Sequence, residues 1–205
     1  MGRSAAGRHV PPGADPGCAS AAAESLRTQR ERRPGMPRET LEPSSFSPDT
    51  RDFIHLLHRH GVRYVIVGGE AVILYGHVRL TGDVDFFYDN EPSNSERLYS
   101  ALAEFWHGSV PGLKEFRELT EDGLILQFGM PPNRIDLLNR IDGVAFADAW
   151  KSRTVVDLQT GEGRVPVNYL GLEELILNKE RVGRPKDLDD LRFLRQALET
   201  ARRRR

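Results

Sequence analysis

The stretch that decides the reading of this chain is Tyr64-Val65-Ile66-Val67-Gly68-Gly69-Glu70-Ala71, followed by Thr81-Gly82-Asp83-Val84-Asp85-Phe86-Phe87-Tyr88. The apolar run ending in a glycine pair reads as a buried strand that turns into a short helix over 70–75. The second segment reads as another strand, and it opens with two acids. Side chains two apart on a strand point to the same face, so Asp83 and Asp85 project into one small volume. Like charges that close repel, and the pair calls for a cation or a shared proton. An arbitrary Asp-x-Asp is most simply a solvated strand end. Here Val84, Phe86 and Phe87 mark a strand that is buried, where unpaired acids are costly. A glycine pair alone is often only a tight turn. At a strand-to-helix junction it also lets backbone amides approach an anion, so turn and acids together suit a metal-dependent nucleotide site.

Working outward, Ser47-Pro48-Asp49 carries a helix-start signature, with Phe53, Leu56 and Leu57 as the apolar stripe and Gly61 as the stop. A further helix capped by Ser93 or Asn94 carries Leu98, Leu102 and Phe105. Residues 108–123 are ambiguous, with a short helix around 113–119. Strands are expected over 124–128 and 134–138, a short helix over 146–150, and a hairpin of 154–158 with 164–167 around Thr160-Gly161-Glu162-Gly163. A helix with Leu172, Leu175 and Ile176 follows, then a last one over 186–201 with Leu188, Leu191, Leu194 and Leu198. The fold class is therefore mixed α/β (α+β), a mixed sheet flanked by helices.

The 205 residues suffice for one ordinary domain plus a tail. Residues 1–46 are rich in Ala, Arg, Gly and Pro and are expected to form a disordered tail, with the domain spanning 47–205. Met36 is a candidate alternative start of translation. Lysines and arginines number 29 against 30 acids, so bulk charge argues for neither nucleic acid nor membrane as partner. The single cysteine, Cys18, excludes an internal disulfide framework and a cysteine-rich zinc site. With no apolar membrane span and no secretory signal core, the expected location is the cytoplasm.

Asp136, between Ile135 and Leu137 on a later apolar strand, is a third candidate acid. Three carboxylates converging from two strands suit Mg²⁺, a hard cation that takes oxygen ligands. Val67-Gly68-Gly69, thirteen intervening residues and Asp83-Val84-Asp85, with Asp136 later, resembles the signature of the polymerase-beta-type nucleotidyltransferase superfamily. Arg79-Leu80-Thr81-Gly82-Asp83-Val84-Asp85 and Asn178-Lys179 through Arg184-Pro185-Lys186-Asp187-Leu188-Asp189-Asp190 narrow the likeness. They resemble small prokaryotic nucleotidyltransferase-like proteins related to AbiE-type abortive-infection toxins, over about 53–194.

The resemblance implies a nucleotidyltransferase fold and transfer of a nucleoside monophosphate from a nucleoside triphosphate to an acceptor hydroxyl of RNA, protein or a small molecule. Asp83 and Asp85 would hold one Mg²⁺ and Asp136 would help hold a second. Gly68 and Gly69 would face the phosphates. Lys179 would add a point charge, Asp187 would orient Lys179 or a substrate group, and Arg79 and Thr81 would make phosphate or structural contacts. A toxin–antitoxin or phage-defence setting with a cognate antitoxin follows from the same likeness. Two rivals stand beside it: an inactive binding protein on this fold, and an antibiotic-modifying type of small-molecule nucleotidyltransferase.

Three features invite blander readings. Glu70, at a helix start, is a dipole partner that sets negative charge near the phosphate cradle. His55, His58 and His60 lie close on the first helix without a carboxylate motif, so a zinc site there is disfavoured. Arg202 to Arg205 suit a solvated helix end better than an RNA contact.

Overall fold

Tyr64–Val67 is buried at every position, as a continuous apolar run requires, and it forms the central strand of a seven-stranded sheet. The computed structural model describes residues 40–203, apart from Val78, Pro132 and Glu162. The strands are β1 (Thr40–Leu41), β2 (Tyr64–Val67), β3 (Asp83–Tyr88), β4 (Ile125–Phe128), β5 (Arg134–Leu138), β6 (Thr154–Thr160) and β7 (Gly163–Tyr169). Their order across the sheet is β1-β6-β7-β2-β3-β5-β4. The sheet is mixed: β2 runs antiparallel to β3 and parallel to β7, while β5 runs parallel to β3 and antiparallel to β4.

The α-helices are α1 (Pro48–Arg59), α2 (Gly68–Leu74), α3 (Pro92–Phe105), α4 (Phe146–Ser152), α5 (Leu172–Val182) and α6 (Pro185–Arg202). They cover both faces, and the alternation along β3 sorts them. Phe86 meets Phe53 of α1 edge-on at 5.4 Å, and Phe53 in turn meets Phe105 of α3. Phe87 points the other way and meets Phe146 of α4 at 5.2 Å. Asp83 and Asp85 share the Phe87 side by strand parity. The ring contacts are edge-to-face, the geometry that the aromatic quadrupole favours.

Most expected elements are present, and the departures have local causes. The ambiguous stretch before β4 forms a 3-10 helix at Phe116–Thr120, closed by a capping box between Glu115 and Glu118. Helix α3 starts at Pro92, so Asn94 lies within its first turn. Asn94 there accepts from the Arg63 amide at 2.7 Å and donates to the Asp89 carbonyl at 2.8 Å, tying the helix start to the ends of β2 and β3. Leu188 is 54% exposed although it fits the leucine spacing of α6. At about 100° per residue it stands about 120° round the helix from Leu194, which is buried in the core.

Described structure begins ahead of residue 47, the expected start of the domain. Thr40–Leu41 pairs in parallel with Asp157 and Leu158 of β6, and Leu41 and Phe46 are buried. Two apolar side chains and a strand edge in need of a partner outweigh a locally polar composition. The expectations for residues 1–39, including Met36 as a start, lie outside the described residues. Among the described residues no helix is long and apolar enough to cross a membrane.

Leu41 is 1% exposed, so truncating it leaves a cavity between β1 and the core. Leu41→Ala is expected to destabilise the domain by about 2–5 kcal/mol in chemical denaturation. A loss near zero would show that residues 40–46 add nothing to the folded domain.

Candidate active site

The parallel pairing of β3 with β5 sets Asp83 beside Arg134 and Asp85 beside Asp136. All four side chains therefore share one sheet face, two by two. Carboxylate oxygens of Asp83, Asp85 and Asp136 lie within 4.8 Å of one another. No other group of three or more potential metal ligands of the His, Cys, Asp or Glu type occurs among the described residues. The grouping expected of these three acids is thus present in the folded chain. The histidines of α1 form no such group, and His60 instead faces Glu104 at 2.8 Å.

Arg134 was not a sequence candidate, yet it is the most connected cation of the cluster. Its Nε donates to Asp136 Oδ1 at 2.7 Å, and its Nη2 donates to Asp136 Oδ2 at 2.8 Å and to Asp83 Oδ2 at 2.6 Å. Gln127, opposite Asp136 on β4, donates to Asp136 Oδ2 at 3.0 Å. The signal was available: Arg134 and Asp136 are two apart on a strand, the same spacing that linked Asp83 to Asp85.

The glycine pair sits against this cluster. Gly68 has φ +65°, and a Cβ there would run into the Asp85 carboxylate. Glycine is required at this position by both backbone conformation and close approach. A Cβ on Gly69 would lie 3.0 Å from Thr81 Oγ1 and 3.6 Å from Arg79 Cζ. Thr81 donates its hydroxyl to the Asp83 backbone carbonyl at 3.0 Å, with Asp83 Oδ1 at 3.2 Å. Thr81 thus shapes the loop that delivers Asp83. Glu70 is buried in α2.

Lys179 and Asp187 lie together beneath this surface. Lys179 is 2% exposed and its Nζ is 2.8 Å from Asp187 Oδ1 and 2.9 Å from Asp190 Oδ2. Asp187 is fully buried and also receives the Arg184 backbone N–H at 3.1 Å and its Nε at 2.9 Å. Asp190 Oδ2 accepts from Arg79 at 2.6 Å. Asp190 closes the late segment that carries the resemblance but has no role assigned from the sequence, although its i, i+3 spacing from Asp187 places both on one helix face. Two of the three ammonium donors of Lys179 face these carboxylates. The cation of this group with an exposed side chain is Arg184. At the chain end Arg202 pairs with Glu173 at 2.8 Å, and Arg204 and Arg205 lie outside the described residues.

Electrostatics separates the acids. Burial, followed by the charges of Asp83 and Asp136, raises Asp85 to about 6, against the opposing pull of Lys179 and Arg134. Burial also acts to raise Asp187, but hydrogen bonds from Arg184 and Lys179 outweigh it and lower the group to about 2. The hydrogen bond to Asp136 raises the already high pKa of Arg134. A carboxylate held reluctantly charged beside two others is a site short of positive charge. The donor set is all oxygen and all carboxylate, which fits Mg²⁺.

The family model described as "Nucleotidyltransferase of unknown function (DUF6036)" matches residues 50–194, and the chain belongs to that family. No curated protein matches the chain. The match covers β2 through most of α6, including every site residue described above.

Two outcomes are expected. The folded pKa of Asp85 lies above its ordinary value of 3.8, so the folded chain keeps a proton that the unfolded chain loses, and stability falls as pH rises through about 6. In chelator-containing buffer the melting temperature is expected to rise on going from about pH 7 to about pH 5, and to rise less in Asp85→Asn. Equal slopes in the two proteins would refute the assignment. Lys179→Met leaves Asp187 and Asp190 buried without their shared cation and is expected to cost about 3–5 kcal/mol in denaturant unfolding.

Proposed function

We propose that this member of the family transfers a nucleoside monophosphate from a nucleoside triphosphate to an acceptor hydroxyl in a Mg²⁺-dependent reaction. The observation that carries the reading is the convergence of Asp83, Asp85 and Asp136 on one sheet face, in a chain of a family described as nucleotidyltransferase. The acceptor oxygen forms a bond to the α-phosphorus. The bond from the α-phosphorus to the bridging oxygen breaks, pyrophosphate leaves with that electron pair, and the hydroxyl proton is released. Mg²⁺, held by the site carboxylates, would neutralise phosphate charge and make the acceptor hydroxyl easier to deprotonate.

The chain's own residues act by placing groups and fixing charge. Gly68 and Gly69 keep side chains out of the space beside Asp85 and leave backbone amides for the phosphates. Thr81 orients Asp83, and Arg79 holds the loop that carries both through its bond to Asp190. Asp187 orients Lys179, whose charge favours the ionised form of Asp85. Arg184, half-exposed at the start of α6, is the cation placed to meet a triphosphate tail. The acceptor is RNA, a protein side chain or a small molecule. The likeness to AbiE-type proteins supports a toxin-like member of a toxin–antitoxin or phage-defence pair, working in the cytoplasm.

The test is incubation of the full chain with each α-labelled nucleoside triphosphate, Mg²⁺ and total cellular RNA, protein and small molecules. Label is expected in one acceptor fraction and is expected to vanish in Asp83→Asn. Absence of transfer together with absence of Mg²⁺-dependent nucleotide binding would overturn the reading. Induced expression in bacteria is expected to arrest growth, and Asp83→Asn to relieve the arrest.

A further inference from the structure

The acid cluster already contains a cation. Arg134 Nη2 lies 2.6 Å from Asp83 Oδ2 and 2.8 Å from Asp136 Oδ2, the position from which an ion would bridge these two carboxylates. Its Nε takes Asp136 Oδ1 at 2.7 Å, so the planar fork grips Asp136 with two parallel bonds. Asp136 is 5% exposed, and both of its oxygens are engaged by Arg134, one of them also by Gln127. Asp85 is different. Among the described residues no group donates a hydrogen bond to its carboxylate, and Asp83 turns its other oxygen, Oδ1, only towards Thr81.

Charge points the same way. Three carboxylates carry three negative charges, and one guanidinium leaves two, which a single divalent cation balances. The arrangement comes from the backbone: the β3–β5 register sets Arg134 directly beside Asp83, and strand parity sets it on the Asp136 face.

We infer that Arg134 takes the place of the second metal ion, so that the site binds one divalent cation, on Asp83 and Asp85, and Asp136 serves to hold the guanidinium. This rests on the metal reading of the site proposed above and replaces the expected two ions with one ion and one arginine. Asp136 is then a positioning residue, and Arg134 supplies a fixed positive charge on the face where the α-phosphoryl group would lie.

The test counts bound ions and does not depend on activity. The purified full chain is titrated with Mn²⁺ alone, and free and bound metal are counted by electron paramagnetic resonance. Wild type is expected to bind one Mn²⁺ per chain. Arg134→Gln, which removes the charge and the fork, is expected to bind two, with the broadened signal of a coupled pair. Asp136→Asn, which leaves Asp83 and Asp85 intact, is expected to keep one ion with affinity within about ten-fold, a change of about 1.4 kcal/mol. Circular dichroism and thermal unfolding check that both variants fold. Two ions in wild type would overturn the inference whether or not Arg134→Gln folds. A count of one in both wild type and Arg134→Gln would overturn it too, as would loss of the ion in Asp136→Asn. No ion in any of the three folded proteins would instead remove the metal reading on which the inference stands.

Discussion

Three carboxylates within 4.8 Å on one sheet face are the constraint to which the rest of this structure answers. Unit charges at such a distance repel by about 3.5 kcal/mol at an effective dielectric constant of about 20. A fold cannot carry that without compensation, and each surrounding feature reduces it by a different route. Arg134 bonds two of the acids directly. Lys179 lowers the cost of ionising the third from a distance. Gly68 lets the Asp85 carboxylate lie against the backbone where any side chain would exclude it. What remains is a net negative cluster whose one carboxylate free of hydrogen-bond donors among the described residues, Asp85, has the character of a ligand in waiting.

The patterns along β2, β3 and β5 made the fold and the three acids legible, because strand alternation and apolar runs are local properties. A four-residue apolar run closed by a glycine pair is too short for a buried helix and reads as a buried strand, and Asp-x-Asp on a strand shares a face. Arg134 obeys the same parity rule as Asp83 and Asp85, but an arginine at the start of a strand is so commonly a solvated end that its chemistry stays hidden until the β3–β5 register is known. Register is a tertiary property, set by which strand lies beside which. The ordered segment at Thr40–Leu41 was illegible for a similar reason. Two residues have no periodicity, and only the open edge of β6 gives them a place. Leu188 fails in the opposite sense: a spacing close to helical still drifts round the axis, and the buried face of α6 centres on Asp187, Asp190, Leu191 and Leu194.

That face explains why the last helix belongs to the site at all. Asp187 and Asp190 take Lys179 of α5 between them, and Asp190 also takes Arg79 from the loop before β3. The loop from Arg79 to Gly82 therefore has two anchors: α6 through Asp190, and β3 itself through the Thr81 hydroxyl. A buried ionic group of this kind is poor value as a source of stability, since apolar side chains of the same volume often hold helices together as well or better. Its distinctive property is direction. Apolar packing would allow α6 to slide or rotate against α5. Two carboxylates sharing one ammonium, with one of them also fixed by the helix-start backbone at Arg184, admit a single register. The fold thus uses charge twice. On the sheet face it is left partly uncompensated, where a ligand can complete it. Beneath that face it is paired within the chain, Asp187 with Lys179 and Arg184 and Asp190 with Lys179 and Arg79, and that pairing holds the loop bearing Asp83 in place.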